Sequence, residues 1–170
     1  TGPATVDELR AQVDAELSGI LTSREMPLYQ MMSYHMGWSD QQGRPEISGG
    51  RDHTHGVLCL LACSAAGGDL KAALPAAAAV ELVHNFCQIH DDVQGGKPQR
   101  DNRDAVWWVW GPAQAINAGD GMHALARLAL FLLKERGISS ATTFQALQLL
   151  DEASLRACEG RFLDLEAQER

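Results

Sequence analysis

Positive charge is scarce in this 170-residue sequence, in which 14 Lys and Arg face 22 Asp and Glu for a formal net charge of −8. That deficit argues against a protein that coats nucleic acid or an anionic membrane, because both need clustered cations. An anionic small substrate stays open, since a few local cations or a bound metal reverse the field where they sit. Long apolar runs are missing too. The most apolar stretch, Val57 to Ala66, is too short to span a bilayer and is interrupted by Ser64, so no stable membrane insertion is expected. No basic patch followed by an apolar block opens the sequence, so no secretory leader is expected and a cytoplasmic location is. The four cysteines, Cys59, Cys63, Cys87 and Cys158, form no CxxC pair and no close Cys/His set. They are expected to be buried small hydrophobes in a reducing compartment, without a disulfide or zinc site. Period-two strands, repeats and low-complexity tracts are absent.

What is present is helical periodicity. Thr5-Val6-Asp7-Glu8 is a capping box, and Leu9, Val13, Leu17 and Ile20/Leu21 recur every three or four residues behind it. A Met- and aromatic-rich segment from Met26 to Gly37 follows, then a polar Gly/Pro loop from Ser39 to Gly50. A second apolar helix is predicted from about His55 to Ala66, closed by Gly67-Gly68. A third is predicted to start at Pro75, a residue suited to a first helical turn, and to run through Asp91-Asp92. Gly95 to Asp104 reads as a loop. A fourth helix is predicted from Pro112 to before Gly137, and a fifth from Ser139/Ser140 onward. Trp107, Trp108 and Trp110 are expected to form a packing cluster at a helix junction. The pattern implies a single all-α domain over residues 1–170, an antiparallel bundle around one core.

The third helix carries the chemistry. His84, Gln88, Asp91 and Asp92 fall at i, i+4, i+7 and i+8, on one face, while Ala79, Val80, Val83 and Phe86 supply apolar packing. Two adjacent carboxylates repel by about 1–4 kcal/mol at ~4 Å, depending on the dielectric. At a helix C-terminus they also oppose the dipole. A hard divalent cation with oxygen ligands would compensate them; a solvated helix end is the plainer account. His90 is expected to be a surface or partly packed residue and not a ligand.

Four ordered landmarks alter that balance. Glu81-Leu82-Val83-His84 followed by Ile89-His90-Asp91-Asp92-Val93 resembles the first aspartate-rich region of the trans-isoprenyl diphosphate synthases, the polyprenyl synthetase family. Ser48-Gly49-Gly50-Arg51 resembles that family's Gly-Gly-Lys loop. Ala115-Ile116-Asn117-Ala118-Gly119-Asp120 resembles its following helix, and Gly160-Arg161-Phe162-Leu163-Asp164-Leu165 its Gly-Gln-x-x-Asp-Leu segment. The resemblance spans roughly residues 45 to 170 and implies the isoprenoid-synthase helical bundle, as its amino-terminal half and incomplete at the carboxyl end.

The resemblance implies Mg²⁺-dependent ionisation of an allylic prenyl diphosphate inside a dry apolar cavity, with isopentenyl diphosphate as the usual acceptor. Asp91 and Asp92 carry over as catalytic, metal-binding residues, with Asp164 supporting the metal from the last helix. Arg51, His84, Gln88, Arg100, Arg103 and Arg161 carry over as substrate-binding residues. Phe86 and Cys87 fall where the family sets the floor of its chain-length pocket; Phe86 as plain core is the alternative. The chain also departs from the family. The motif's closing aspartate is Gly95, the loop reads Gly49-Gly50-Arg51-Asp52-His53-Thr54-His55 with its second cation lost, and the Arg-Arg pair is Arg100-Asp101. Such losses weaken a second diphosphate site, because charge-assisted contacts are the strong ones. Three readings follow: a prenyltransferase coupling to isopentenyl diphosphate or another acceptor, a terpene cyclase acting on one prenyl diphosphate, and a non-catalytic regulatory subunit. The family's second Asp-rich motif has no counterpart here. The partner expected is a second copy of the chain, or a chain that carries that motif.

Overall fold

The computed structural model describes residues 4–46 and 51–168, and it is all-α. The helices are α1 (Val6–Thr22), α2 (Pro27–His35), α3 (Thr54–Ala65), α4 (Leu70–Gln94), α5 (Val106–Trp110), α6 (Pro112–Glu135) and α7 (Ser140–Gln168). The Thr5/Glu8 capping box forms as expected: Glu8 N–H donates to Thr5 Oγ1 at 3.2 Å, and Thr5 N–H to Glu8 Oε2 at 2.7 Å. The stripe behind it, Leu9, Val13, Leu17 and Leu21, is buried.

The long helix α4 is the axis of the bundle and packs against α1, α3, α5, α6 and α7. It does not begin at Pro75. Asp69 caps it, with its carboxylate accepting from Lys71 N–H at 2.9 Å, and Pro75 lies inside the helix. A proline there cannot donate to the carbonyl four residues back. Arg136, at the end of α6, supplies the missing donor: its Nη1 bonds Lys71 O at 2.9 Å while Nη2 holds Glu16 at 3.0 Å. One side chain thus repairs α4 and ties α1 and α6 to it.

Three further expectations are corrected. The segment after α4 is not simply a loop: Gln99–Arg100 (β1) pairs antiparallel with Arg103–Asp104 (β2). Asp101 and Asn102 between them have φ of 51° and 60°, the left-handed pair that a tight two-residue hairpin turn needs. The cysteines are not buried: Cys59, Cys63 and Cys87 are half-buried and Cys158 is exposed. The tryptophans are only partly a packing cluster. Trp110 stacks edge-on against Tyr34 and Trp107 against Trp108, but Trp108 is 59% exposed. Among the described residues, no helix is long and apolar enough to cross a membrane.

Candidate active site

The inward face of α4 mixes apolar and polar positions. Ala78, Leu82 and Ile89 are buried core residues, and Glu81, Asn85 and Asp92 are buried on the same helix. Glu81, Asn85 and Asp92, together with α2, α3 and the β1–β2 hairpin, line a cavity of about 620 Å³. The cavity brings together Arg51, His84, Gln88, Arg100 and Arg103, five of the six residues predicted to bind substrate. The Gly-Gly segment that precedes Arg51 lies outside the described residues.

Hydrogen bonds link these side chains in series. Arg51 donates from Nε to His35 O at 2.8 Å and from Nη1 to Gln88 Oε1 at 2.7 Å. With its oxygen so engaged, Gln88 turns its amide nitrogen to His84 Nε2 at 2.8 Å. That ring nitrogen must therefore be the acceptor, which makes His84 a neutral imidazole protonated on Nδ1. Burial lowers the His84 pKa, and the His55 ring stacked 4.0 Å away lowers it further. Arg51 is itself lowered, by burial first, against the raising influence of Asp101 at 3.3 Å. Arg103 reaches back to Glu46 and to Ser39 O at 2.8 Å, with its guanidinium 4.4 Å over the Tyr34 ring.

Asp91 and Asp92 are neighbours in sequence but part company in space. Asp92 is 2% exposed and gives both oxygens to Arg100, each at 2.8 Å, which raises the Arg100 pKa. Asp91 turns to α7, where Arg161 Nε lies 3.2 Å from its Oδ1 and Arg161 Nη1 lies 2.5 Å from Asp164 Oδ2. Two helices thus aim one carboxylate each at a single cationic position. Among the described residues, no three His, Cys, Asp or Glu side chains are grouped to hold a metal by themselves. Two carboxylates still fit Mg²⁺, which takes one or two of them and completes its shell with phosphate and water oxygens.

Phe86 and Cys87 face the α7 side. The Phe86 ring packs 4.7 Å from His90 and 5.2 Å from His123. It helps line a second cavity, of about 380 Å³, with Leu155 and Cys158 of α7. Burial, then Asp91 and Cys158, push the Cys87 thiol up to about 11, so it stays protonated and unreactive at neutral pH. His90 is partly packed, with Nε2 3.2 Å from Ile116 O.

A buried charged group that sequence reasoning missed lies in the wall of the cavity. His53, at 2% exposure, places Nε2 2.8 Å from Asp14 Oδ1 and Nδ1 3.5 Å from Glu81 Oε2. Glu81 also accepts from Gly56 N–H at 2.8 Å. Burial would lower the His53 pKa, but Glu81 and Asp14 together raise it; burial would raise Glu81, and His53 with the Gly56 amide lowers it instead. A glutamate inside the apolar stretch of α4 was the available signal.

The polyprenyl synthetase family model matches residues 46–170. Geranylgeranyl diphosphate synthase of Mycobacterium tuberculosis is 36% identical over 163 residues, covering 96% of this chain and 45% of that protein. (2E,6E)-farnesyl diphosphate synthase of Mycobacterium bovis is 38% identical over 134 residues, 79% of this chain and 36% of that protein. Among solved structures, a polyprenyl synthetase from Streptomyces coelicolor superposes with a TM-score of 0.86 at 35% identity, covering 96% of this chain and 47% of that one. The chain spans about half the length of the curated relatives it matches.

Proposed function

The chain belongs to the polyprenyl synthetase family, and from that premise we propose that the protein carrying it ionises an allylic prenyl diphosphate and transfers the prenyl group to isopentenyl diphosphate or another acceptor. The observation that carries this reading is the pairing of two sites along α4. Asp91 and Asp164 converge on one cationic position on its α7 side, and a polar cavity opens on its hairpin side. The names of the relatives favour transfer over the cyclase and regulatory-subunit readings.

In this reading Asp91 and Asp164 would hold Mg²⁺, whose chemistry there would be Lewis acidity toward a diphosphate leaving group. Arg161, which bridges the two carboxylates here, would turn its guanidinium to the diphosphate oxygens when those carboxylates take the metal. Phe86 and its neighbours shelter the prenyl chain from water. Asp92 acts from beneath: by gripping Arg100 it fixes the hairpin that walls the acceptor cavity. A second copy of the chain is the partner we propose.

The test is diphosphate release by the full-length protein with Mg²⁺ and geranyl, farnesyl or geranylgeranyl diphosphate, with and without isopentenyl diphosphate. Release accompanied by a prenylated acceptor supports transfer. Release with a hydrocarbon product and no acceptor replaces it with cyclisation, and no release under any condition removes the catalytic reading.

A further inference from the structure

Arg161 stands where a metal ion would have to go. Its guanidinium bridges α4 and α7, with Nε 3.2 Å from Asp91 Oδ1 and Nη1 2.5 Å from Asp164 Oδ2. Nε also donates to Gln94 Oε1 at 2.9 Å, so an amide at the end of α4 helps to hold it. The arginine side chain is 22% exposed, against 40% for Asp91 and 53% for Asp164. The cation is therefore lodged between the carboxylates and does not reach over them from the rim.

The bridge also anchors α7. From Leu155 to Gln168 every residue is exposed except Arg161 and Leu165. If the guanidinium left with nothing in its place, two carboxylates would face each other across the helices and repel. A divalent cation could restore the tie only by displacing a positive charge that is already there. Two carboxylates alone are also a thin shell for Mg²⁺, which needs further oxygens. A diphosphate supplies such oxygens, and it offers the displaced guanidinium a bidentate anionic partner in exchange.

We propose that Arg161 is a resident cation that blocks the Asp91–Asp164 pair until a diphosphate draws it away, so that metal and diphosphate bind cooperatively through this one side chain. The coupling is reciprocal: the factor that the anion adds to metal affinity, the metal adds to anion affinity. The proposal rests on the prenyl-transfer reading for the pairing of these two ligands, and it names the residue that makes each bind poorly alone.

The test is a titration of Mn²⁺, which shares the oxygen preference of Mg²⁺ and is followed by EPR. Full-length wild type, Arg161→Gln and Arg161→Lys are compared with and without inorganic diphosphate, and circular dichroism and urea denaturation report on each fold. Without diphosphate, Arg161→Gln should bind Mn²⁺ at least tenfold tighter than wild type, because the competing charge is gone. Arg161→Lys keeps a cation and should stay near the wild-type affinity. The factor by which diphosphate tightens Mn²⁺ should fall at least tenfold in Arg161→Gln. Formation of the Mn²⁺–diphosphate complex in solution is common to all three proteins and cancels in the comparison. Equal Mn²⁺ affinity in Arg161→Gln and wild type overturns the proposal. So does equal tightening by both substitutions, which would trace the effect to a broken bridge and not to charge, and so does a lack of Mn²⁺ binding by all three. Diphosphate release from geranyl diphosphate by the wild type with Mg²⁺ tests prenyl transfer separately. If release fails while the Mn²⁺ order holds, the transfer reading falls and the role of Arg161 stands.

Discussion

Arg100 takes both oxygens of Asp92, Nε on Oδ2 and Nη2 on Oδ1, each at 2.8 Å, and so pins the β1–β2 hairpin to the end of α4. The fork geometry matches a carboxylate in a way that no lysine can. Arg100→Ala would strand a buried, ionised carboxylate. It should destabilise the fold by about 3 kcal/mol, read from urea denaturation. Arg100→Lys should recover less than half of the loss, because a single ammonium cannot serve both oxygens in plane. Equal stability of Arg100→Ala and wild type would show that the pair is not what secures the hairpin.

Asp91→Ala and Asp92→Ala should each abolish diphosphate release by the full-length protein, but for different reasons. Asp91 is half exposed and paired with Arg161 at 3.2 Å, so its loss should leave the denaturation midpoint nearly unchanged. Asp92 is buried against Arg100, so its loss should lower the midpoint as well. Full activity in either variant would remove that residue from the site.

How far the sequence was legible follows the range of the interactions. The α1 cap is contained in four residues, and both of its hydrogen bonds form. Local pattern alone starts α4 at Pro75, because proline favours a first turn, whereas the helix begins at Leu70. What makes proline tolerable inside α4 is Arg136, which bonds the freed carbonyl from 65 residues away, and no local pattern announces that. Strands of two residues are too short to show a period of two. In the site, the α4 spacing gathers His84 and Gln88 correctly, but it cannot show that Asp91 and Asp92 diverge. The partners that separate them, Arg161 and Arg100, come from elsewhere in the chain.

The Asp14–His53–Glu81 group should give stability a definite pH dependence. His53 is raised on folding, so its contribution is complete below the ordinary histidine value of about 6.5 and is lost as pH rises through its raised value. Glu81 is lowered, so its contribution is present above the ordinary glutamate range and is lost as pH falls through its lowered value. The group is therefore strongest between about pH 4.5 and 6.5. Buried His35 works in the opposite sense, since burial and then Arg51 hold it well below its ordinary value and favour higher pH. The clean measurement is the stability difference between wild type and His53→Asn, a residue that accepts the φ of 47° at this position. That difference should be largest near pH 6 and shrink as pH rises to 9; a flat difference would mean that His53 stays neutral.

Gly56 is the point where α3 meets this group. A Cβ there would lie 2.8 Å from Val13 Cγ1, 3.0 Å from Glu81 Cγ and 3.1 Å from Ala77 O. Replacing a helical glycine by alanine ordinarily gains up to about 1 kcal/mol. Overpacking a well-filled core costs about 1–3 kcal/mol. The backbone oxygen cannot yield, and Glu81 is held by the Gly56 amide itself, so the clash should win. Gly56→Ala is expected to destabilise by about 1–2 kcal/mol. It should also flatten the His53-dependent pH profile, because Glu81 is the neighbour displaced. A stabilised Gly56→Ala with an unaltered profile would show that α3 moves freely over α4.

Phe86 separates the two roles open to it by what its removal does. The ring packs against His90 and His123 and helps line the 380 Å³ cavity under α7. As plain core, Phe86→Ala would cost about 3–5 kcal/mol and affect every allylic diphosphate alike. As the floor of a prenyl pocket, the ring already faces open space, so its loss should be cheaper and should deepen the cavity toward Leu155 and Cys158. The variant is therefore expected to raise kcat/KM for geranylgeranyl relative to geranyl diphosphate at least tenfold in the full-length protein, with only a modest fall in denaturation midpoint. A large fall in midpoint with an unchanged substrate ratio would return Phe86 to the core.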